Sequence, residues 1–145
     1  MGRRIEKEEL ITLVPHKGKM FLIDRIIDYD TSVWKIQSET VAKEDCLFFD
    51  KKLDGIPNYV LFELAAQSIS ALIGIRLKEL ELPPRMGFIL SVAGFSFNTP
   101  LLKAGDIVTI STERTAEMDN VHSFVAEISI NGKACGSGKL TVLET

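Results

Sequence analysis

The stretch Gly55–Leu80, GIPNYVLFELAAQSISALIGIRLKEL, decides how the rest of the chain must be arranged. It predicts one long helix entered through Pro57-Asn58, where proline has no amide hydrogen to lose and asparagine can cap. From Tyr59 to Leu77 nearly every position is apolar or small, so most faces of the helix need covering by protein. The exceptions are ordered. Glu63, Gln67 and Ser70 fall on one side of the helix, at spacings that stack. A carboxyl group on an otherwise apolar helix is costly unless it is paired, neutralised or used, which makes this stripe the functional lead.

Working outward, Pro83-Pro84 stops the helical pattern. Before the helix, Glu6–Val14 predicts a short helix ended by Pro15. The run Met20–Asp30 (MFLIDRIIDYD) and the run Val33–Ala42 (VWKIQSETVA) predict two strands joined by a turn at Asp30-Thr31-Ser32. Lys43–Leu53 is irregular, with an apolar Leu47-Phe48-Phe49 knot. After the helix, four strands are expected at Gly87–Asn98, Asp106–Glu117, His122–Ile130 and Lys133–Leu143, in meander-like succession. Asn131-Gly132 is a strong hairpin signal between the last two.

The order of two strands, one buried helix and four strands has a physical solution. An antiparallel sheet curls around the helix and covers it. This is an α+β chain with the hotdog arrangement, expected as a single domain over residues 1–145. Its leftover apolar surface predicts a dimer, by helix-side or edge-strand pairing.

Composition sets bounds on function. The chain has 145 residues, 46% of them hydrophobic and 26% charged, which suits one soluble globular domain. A net charge of −3 and a pI near 5.4 argue against general nucleic-acid binding. Cys46 and Cys135 are far apart, form no metal-ligand spacing and fit a reducing cytoplasm. No signal peptide is expected, because the segment from Ile5 to Glu9 is charged. Glu63, Gln67 and Arg76 interrupt the helix as a membrane span, so no membrane partner is expected.

Two blocks carry a resemblance. Pro15-His16, followed by an apolar run closed by Asp24-Arg25, resembles the opening of the β-hydroxyacyl-acyl-carrier-protein dehydratases of bacterial fatty-acid synthesis. Ile56-Pro57 through Glu63-Leu-Ala-Ala-Gln67 resembles their second block, a Met-Pro-Gly turn opening a helix with Glu-x-x-x-Gln. Both blocks keep the family's internal spacing. Two departures stand out: the family's His-Phe-Pro histidine corresponds to Phe49, and its glycine after the turn proline is Asn58. The chain is more closely similar to the small dehydratase-like proteins of aryl polyene biosynthetic clusters, which combine the early Pro-His with Glu-x-x-x-Gln and lack the His-Phe-Pro segment.

The resemblance implies a lyase that dehydrates 3-hydroxyacyl thioesters carried on the phosphopantetheine of an acyl carrier protein. It implies no metal or other cofactor, and a homodimer or a heterodimer with a second hotdog subunit. Such a reaction needs a base for the C2 proton, an acid for the leaving hydroxyl and a donor for the developing enolate. The expected roles are His16 as base, Glu63 as acid, Gln67 as its orienter, and the Asn58 and Tyr59 amides at the helix start as carbonyl donors. A structural role for His16 and a satisfied, non-chemical Glu63–Gln67 pair stand beside these roles.

Asp24 and Arg25 read as structural ion-pairing or dimer contacts, and His122, after a polar turn, as solvent-facing. Phe21, Phe62, Phe88, Phe95 and Phe97 read as core rather than a dedicated acyl tunnel, with lining of such a tunnel by some of them left open. Lys17, Lys19, Arg76, Lys78, Arg85 and Lys103 are candidates for docking an acidic carrier protein, or simply a solvated surface. The rival functions are a hotdog acyl thioesterase and a non-catalytic subunit that stabilises an active dehydratase partner.

Overall fold

The computed structural model describes residues 4–14, 18–83 and 87–144. Pro15, His16 and Lys17 therefore lie outside the described residues, as do Pro84 and Arg85 and the side chain of Phe88.

The expected α+β architecture is present. Seven strands form one antiparallel sheet in the order β1-β2-β3-β7-β8-β9-β5, with β1 at Ile5–Glu6, β2 at Arg25–Asp30, β3 at Lys35–Val41, β5 at Gly87–Phe97, β7 at Ile107–Met118, β8 at Val121–Ile130 and β9 at Lys133–Glu144. The long helix α2, Val60–Glu79, is the crossover between the two halves of the chain and is wrapped by the sheet. A short helix α1, Lys7–Leu10, precedes β2, and a two-residue pair joins β4 (Ile56–Pro57) to β6 (Leu101–Leu102).

The core follows from period-two alternation in the strands meeting an all-round apolar helix. Ile36, Val108, Ile110, Phe124, Ala126, Ile128, Leu140 and Val142 point inward and are buried, as are Leu61, Leu64, Ile69 and Leu72 of α2. By length and hydropathy α2 could cross a membrane, but 72% of its apolar window is buried inside the protein. Beneath it the buried hydroxyls of Ser38 and Ser68 lie 2.7 Å apart, and Ser68 also donates to the Leu64 carbonyl at 2.8 Å, so both are satisfied.

Gly74 is where α2 passes closest to the amino-terminal segment. A Cβ there would sit 1.9 Å from the Leu13 carbonyl oxygen, and only glycine allows the approach.

Several expectations are corrected. The run Met20–Asp30 is strand only from Arg25, because Gly18–Met20 forms a 3-10 turn and Phe21, Ile23 and Asp24 are buried as the chain crosses over the helix. The expected short helix over Glu6–Val14 covers only Lys7–Leu10 and loosens into turns. Strand β5 does not continue a meander: it pairs with β9 at the sheet's edge, and only β7, β8 and β9 follow in succession.

The long helix starts at Val60 rather than Gly55, and it ends at Glu79, next to the expected Leu80 and ahead of the prolines. Glu81 takes φ 57°, its amide donates to the Lys78 carbonyl at 3.0 Å, and the Leu82 amide donates to the Leu77 carbonyl at 2.9 Å. That is a Schellman motif with glutamate in the left-handed position usually held by glycine. The hairpin at Asn131-Gly132 is as expected, with φ 52° and 82° at its two loop residues.

Candidate active site

Glu63 sits in the first turn of α2 and is half-buried. Gln67, one turn on, is fully buried, and its amide is completely committed. Its carbonyl oxygen accepts from the Leu22 amide at 2.9 Å. Its nitrogen donates to the Met20 carbonyl at 2.8 Å and to Glu63 Oε1 at 3.1 Å. The backbone partners fix which end of the amide is which, because the Leu22 N–H needs an oxygen and the Met20 carbonyl needs a donor. Gln67 is thereby held at both ends by the crossing segment while its nitrogen also reaches the Glu63 carboxyl.

That segment brings the early block to the helix. Leu13 lies against Gly74, and Met20 and Leu22 are tied to Gln67, so the chain on both sides of residues 15–17 is clamped to α2. His16 itself lies outside the described residues, and its distance to Glu63 forms no part of this geometry.

Asn58 is engaged differently from a simple cap. Its side-chain amide donates to the Thr99 carbonyl at 3.0 Å and its backbone amide lies 3.2 Å from the Pro100 carbonyl. Tyr59, not Asn58, occupies the N-cap position, with no side-chain cap hydrogen bond. The expected capping by Asn58 is thus replaced by anchoring of the helix start to the turn before β6. A substrate carbonyl would have to displace Pro100 to use the Asn58 amide. Tyr59 is 54% exposed at the open end of the helix, where the partial positive charge of the dipole is concentrated.

Asp24 and Arg25 do not pair with one another. The Asp24 carboxylate accepts from the Val41 amide at 2.7 Å and from Lys43 Nζ at 2.9 Å, with Lys7 Nζ at 3.9 Å. Arg25 bonds Glu6 and Glu39, and these two hydrogen bonds, Glu6 first, hold its guanidinium above its ordinary pKa. The ion pairing expected of these two residues is thus made with other partners, in two separate networks.

His122 is not solvent-facing. It is 2% exposed, its ring lies 5.5 Å from that of Trp34, and Arg114 donates to its Nδ1 at 3.3 Å. The alternation of β8 was the available signal: His122 shares a face with Phe124, Ala126 and Ile128, all inward.

Of the aromatic residues, Phe21 is core, Phe95 and Phe97 pack partly buried against it, and Phe62 is half-exposed on α2. Phe49, at the position of the family's histidine, is also partly buried against the core. Of the candidate docking cations, Arg76 pairs with Glu79 and Lys78 with Glu9, whereas Lys19 and Lys103 are exposed. Among the described residues no cluster of His, Cys, Asp or Glu forms a set of metal ligands.

Comparison with known proteins places this geometry in context. The ApeP-like family (ApeP dehydratase) matches residues 8–145. The 3-hydroxyacyl-(acyl-carrier-protein) dehydratase FabZ of Histophilus somni strain 2336 is 28% identical over 144 residues, covering 97% of this chain and 92% of that protein. FabZ of Haemophilus influenzae strain 86-028NP is 29% identical over 145 residues, covering 95% and 93%.

Among solved structures, the dehydratase heterocomplex ApeI:P from Xenorhabdus doucetiae superposes with a TM-score of 0.86 at 20% identity, covering 94% of this chain and 90% of that one. The E. coli PaaI protein of the phenylacetic acid degradation operon reaches 0.62 at 13% identity, covering 83% and 78%. The chain shares its fold with both.

Proposed function

Because the chain belongs to the ApeP-like dehydratase family, we propose that it catalyses loss of water from 3-hydroxyacyl thioesters carried on an acyl carrier protein, giving 2-enoyl thioesters in aryl polyene or similar lipid biosynthesis. The observation that carries this is Glu63 in the first turn of α2, oriented by a fully committed Gln67. Glu63 acts as the acid that protonates the departing hydroxyl, and His16 as the base at C2. Leu13 and Met20, which flank the block that carries His16, both meet α2, and this supports His16 in that role. The amide of Tyr59, with that of Asn58 once released from Pro100, stabilises the developing enolate at the positive end of the helix.

The substrate is delivered on phosphopantetheine, and the protein requires no cofactor of its own. Its setting is the cytoplasm, in keeping with two free cysteines. The partner is a second hotdog subunit, in a homodimer or a heterodimer. Two features support that. Strand β5 is an edge strand of 11 residues, and α2 leaves Phe62, Glu63, Ala66 and Ser70 only partly covered.

The test is conversion of a 3-hydroxyacyl-carrier-protein substrate, followed by mass spectrometry of the carrier arm. Glu63→Gln should keep the fold and lower kcat by at least about 100-fold. Release of free thiol without an enoyl product would instead identify a thioesterase. A second reading is favoured by Phe49, which is partly buried where the family's histidine would stand: a non-catalytic subunit supporting an active partner. Full activity of the assembled complex with His16→Ala and Glu63→Ala together would establish it.

A further inference from the structure

The crossing segment is fastened at both ends. Residues 21–24 belong to no strand or helix, although Phe21 and Ile23 are buried. At one end Met20 and Leu22 hold the two ends of the Gln67 amide. At the other end Asp24 holds the chain to β3, where its amide donates to the Glu39 carbonyl at 3.1 Å.

The Asp24 side chain completes that second fastening. The ladder between β2 and β3 ends at the pair Arg25 and Glu39. Ala42 donates to the Asp106 carbonyl on the β7 side, so the Val41 amide faces the side that β2 has left. A continuing strand would have supplied its acceptor. The Asp24 carboxylate takes that place, accepting from the Val41 amide at 2.7 Å and from Lys43 Nζ at 2.9 Å. It is 8% exposed, and its short arm lets the chain leave the sheet and cross the helix while still bonded to β3.

We infer that Asp24 is a positioning residue for the dehydration, acting on the Glu63 carboxyl through the crossing segment and Gln67. The inference rests on the reading of Glu63 as the acid. The carboxylate fixes residue 24 on β3, which keeps Met20 and Leu22 at the Gln67 amide, and the Gln67 nitrogen lies 3.1 Å from Glu63 Oε1. A segment released at Asp24 leaves the Gln67 amide free to turn away from Glu63. Misplacing a reacting group by about 1 Å costs on the order of 100-fold in rate. The segment would still touch Gln67, so the loss is smaller than that.

The test is kcat and KM of the assembled enzyme with the 3-hydroxyacyl-carrier-protein substrate. Asp24→Ala should lower kcat about tenfold and change KM by less than about twofold. Asp24→Asn keeps an oxygen for Val41 and should stay within about twofold of the parent. In a Gln67→Ala background the route is already cut, and Asp24→Ala should cost less than about twofold more. If Asp24→Ala does not fold, Asp24→Ser, whose arm is too short to reach Val41, carries the same expectations. Parental kcat in the folded alanine or serine variant would overturn the inference. So would equal losses with and without Gln67, or equal losses in Asp24→Asn and Asp24→Ala. Glu63→Gln, assayed beside these, separates the two readings. If it keeps full activity, Glu63 is not the acid and the inference falls with that reading. If it is inactive while Asp24→Ala keeps the parental kcat, the inference alone falls.

Discussion

Replacing Gln67 by leucine removes the link between the early block and the helix while nearly preserving shape. The side chain is fully buried, and its loss leaves the Leu22 N–H and the Met20 carbonyl without their partner. An unmade hydrogen bond at a buried backbone group costs about 1–3 kcal/mol. Met20 is 50% exposed, so water can reach its carbonyl in part and its share belongs at the low end. Burial of the apolar leucine returns about 1 kcal/mol. The net loss is about 1–3 kcal/mol, which for a chain of this size lowers Tm by roughly 2–12 °C.

The assay is urea unfolding at fixed protein concentration, since assembly also contributes to apparent stability. The midpoint should fall with the slope unchanged. Gln67→Glu should be worse near neutral pH, because a carboxylate can accept from Leu22 but confronts the Met20 carbonyl and Glu63 with negative charge. Part of that deficit should disappear as the pH falls and the new carboxyl is protonated. A Gln67→Leu protein within about 0.5 kcal/mol of the parent would refute the reasoning, since an uninvolved surface site behaves that way.

Other consequences are as direct. Glu81→Gly should stabilise the chain by about 0.5–1 kcal/mol, because Glu81 is exposed and holds a left-handed conformation that glycine adopts without strain; a lower urea midpoint would contradict this. The Arg25 guanidinium has its pKa raised by Glu6 and Glu39, so its contribution is complete below the ordinary arginine value and is lost only as pH rises past the raised one. The stability difference between Arg25→Gln and the parent should therefore stay constant from about pH 7 to pH 9, as read by paired urea midpoints. A difference that shrinks across that interval would assign the effect to another group.

Much of this protein was legible before folding was considered. The helix was visible because an apolar surface on nearly all faces has only one remedy, enclosure, and the strands after it because alternation and the Asn131-Gly132 turn are local signals. The Glu63–Gln67 pair was legible for the same reason, being set by helical spacing alone. His122 was within reach too: the alternation that leaves Ser123 half-buried and buries Phe124 also buries the histidine, but a preceding polar turn suggested solvent.

What required the tertiary structure was every partnership between distant segments. Helical spacing places Gln67 beside Glu63, but only packing brings Met20 and Leu22 to the other ends of its amide. The separation of Asp24 from Arg25 into different networks, the diversion of Asn58 to Thr99 and Pro100, and the placing of β5 beside β9 are likewise choices among geometries that a linear pattern leaves equal. The cavity lined by Phe21, Val60, Leu64, Leu102 and Val108 is the extreme case, since a space between elements is a property of how they meet and belongs to no residue's sequence. Local periodicity determined which groups face inward, and long-range packing decided what each of them met there.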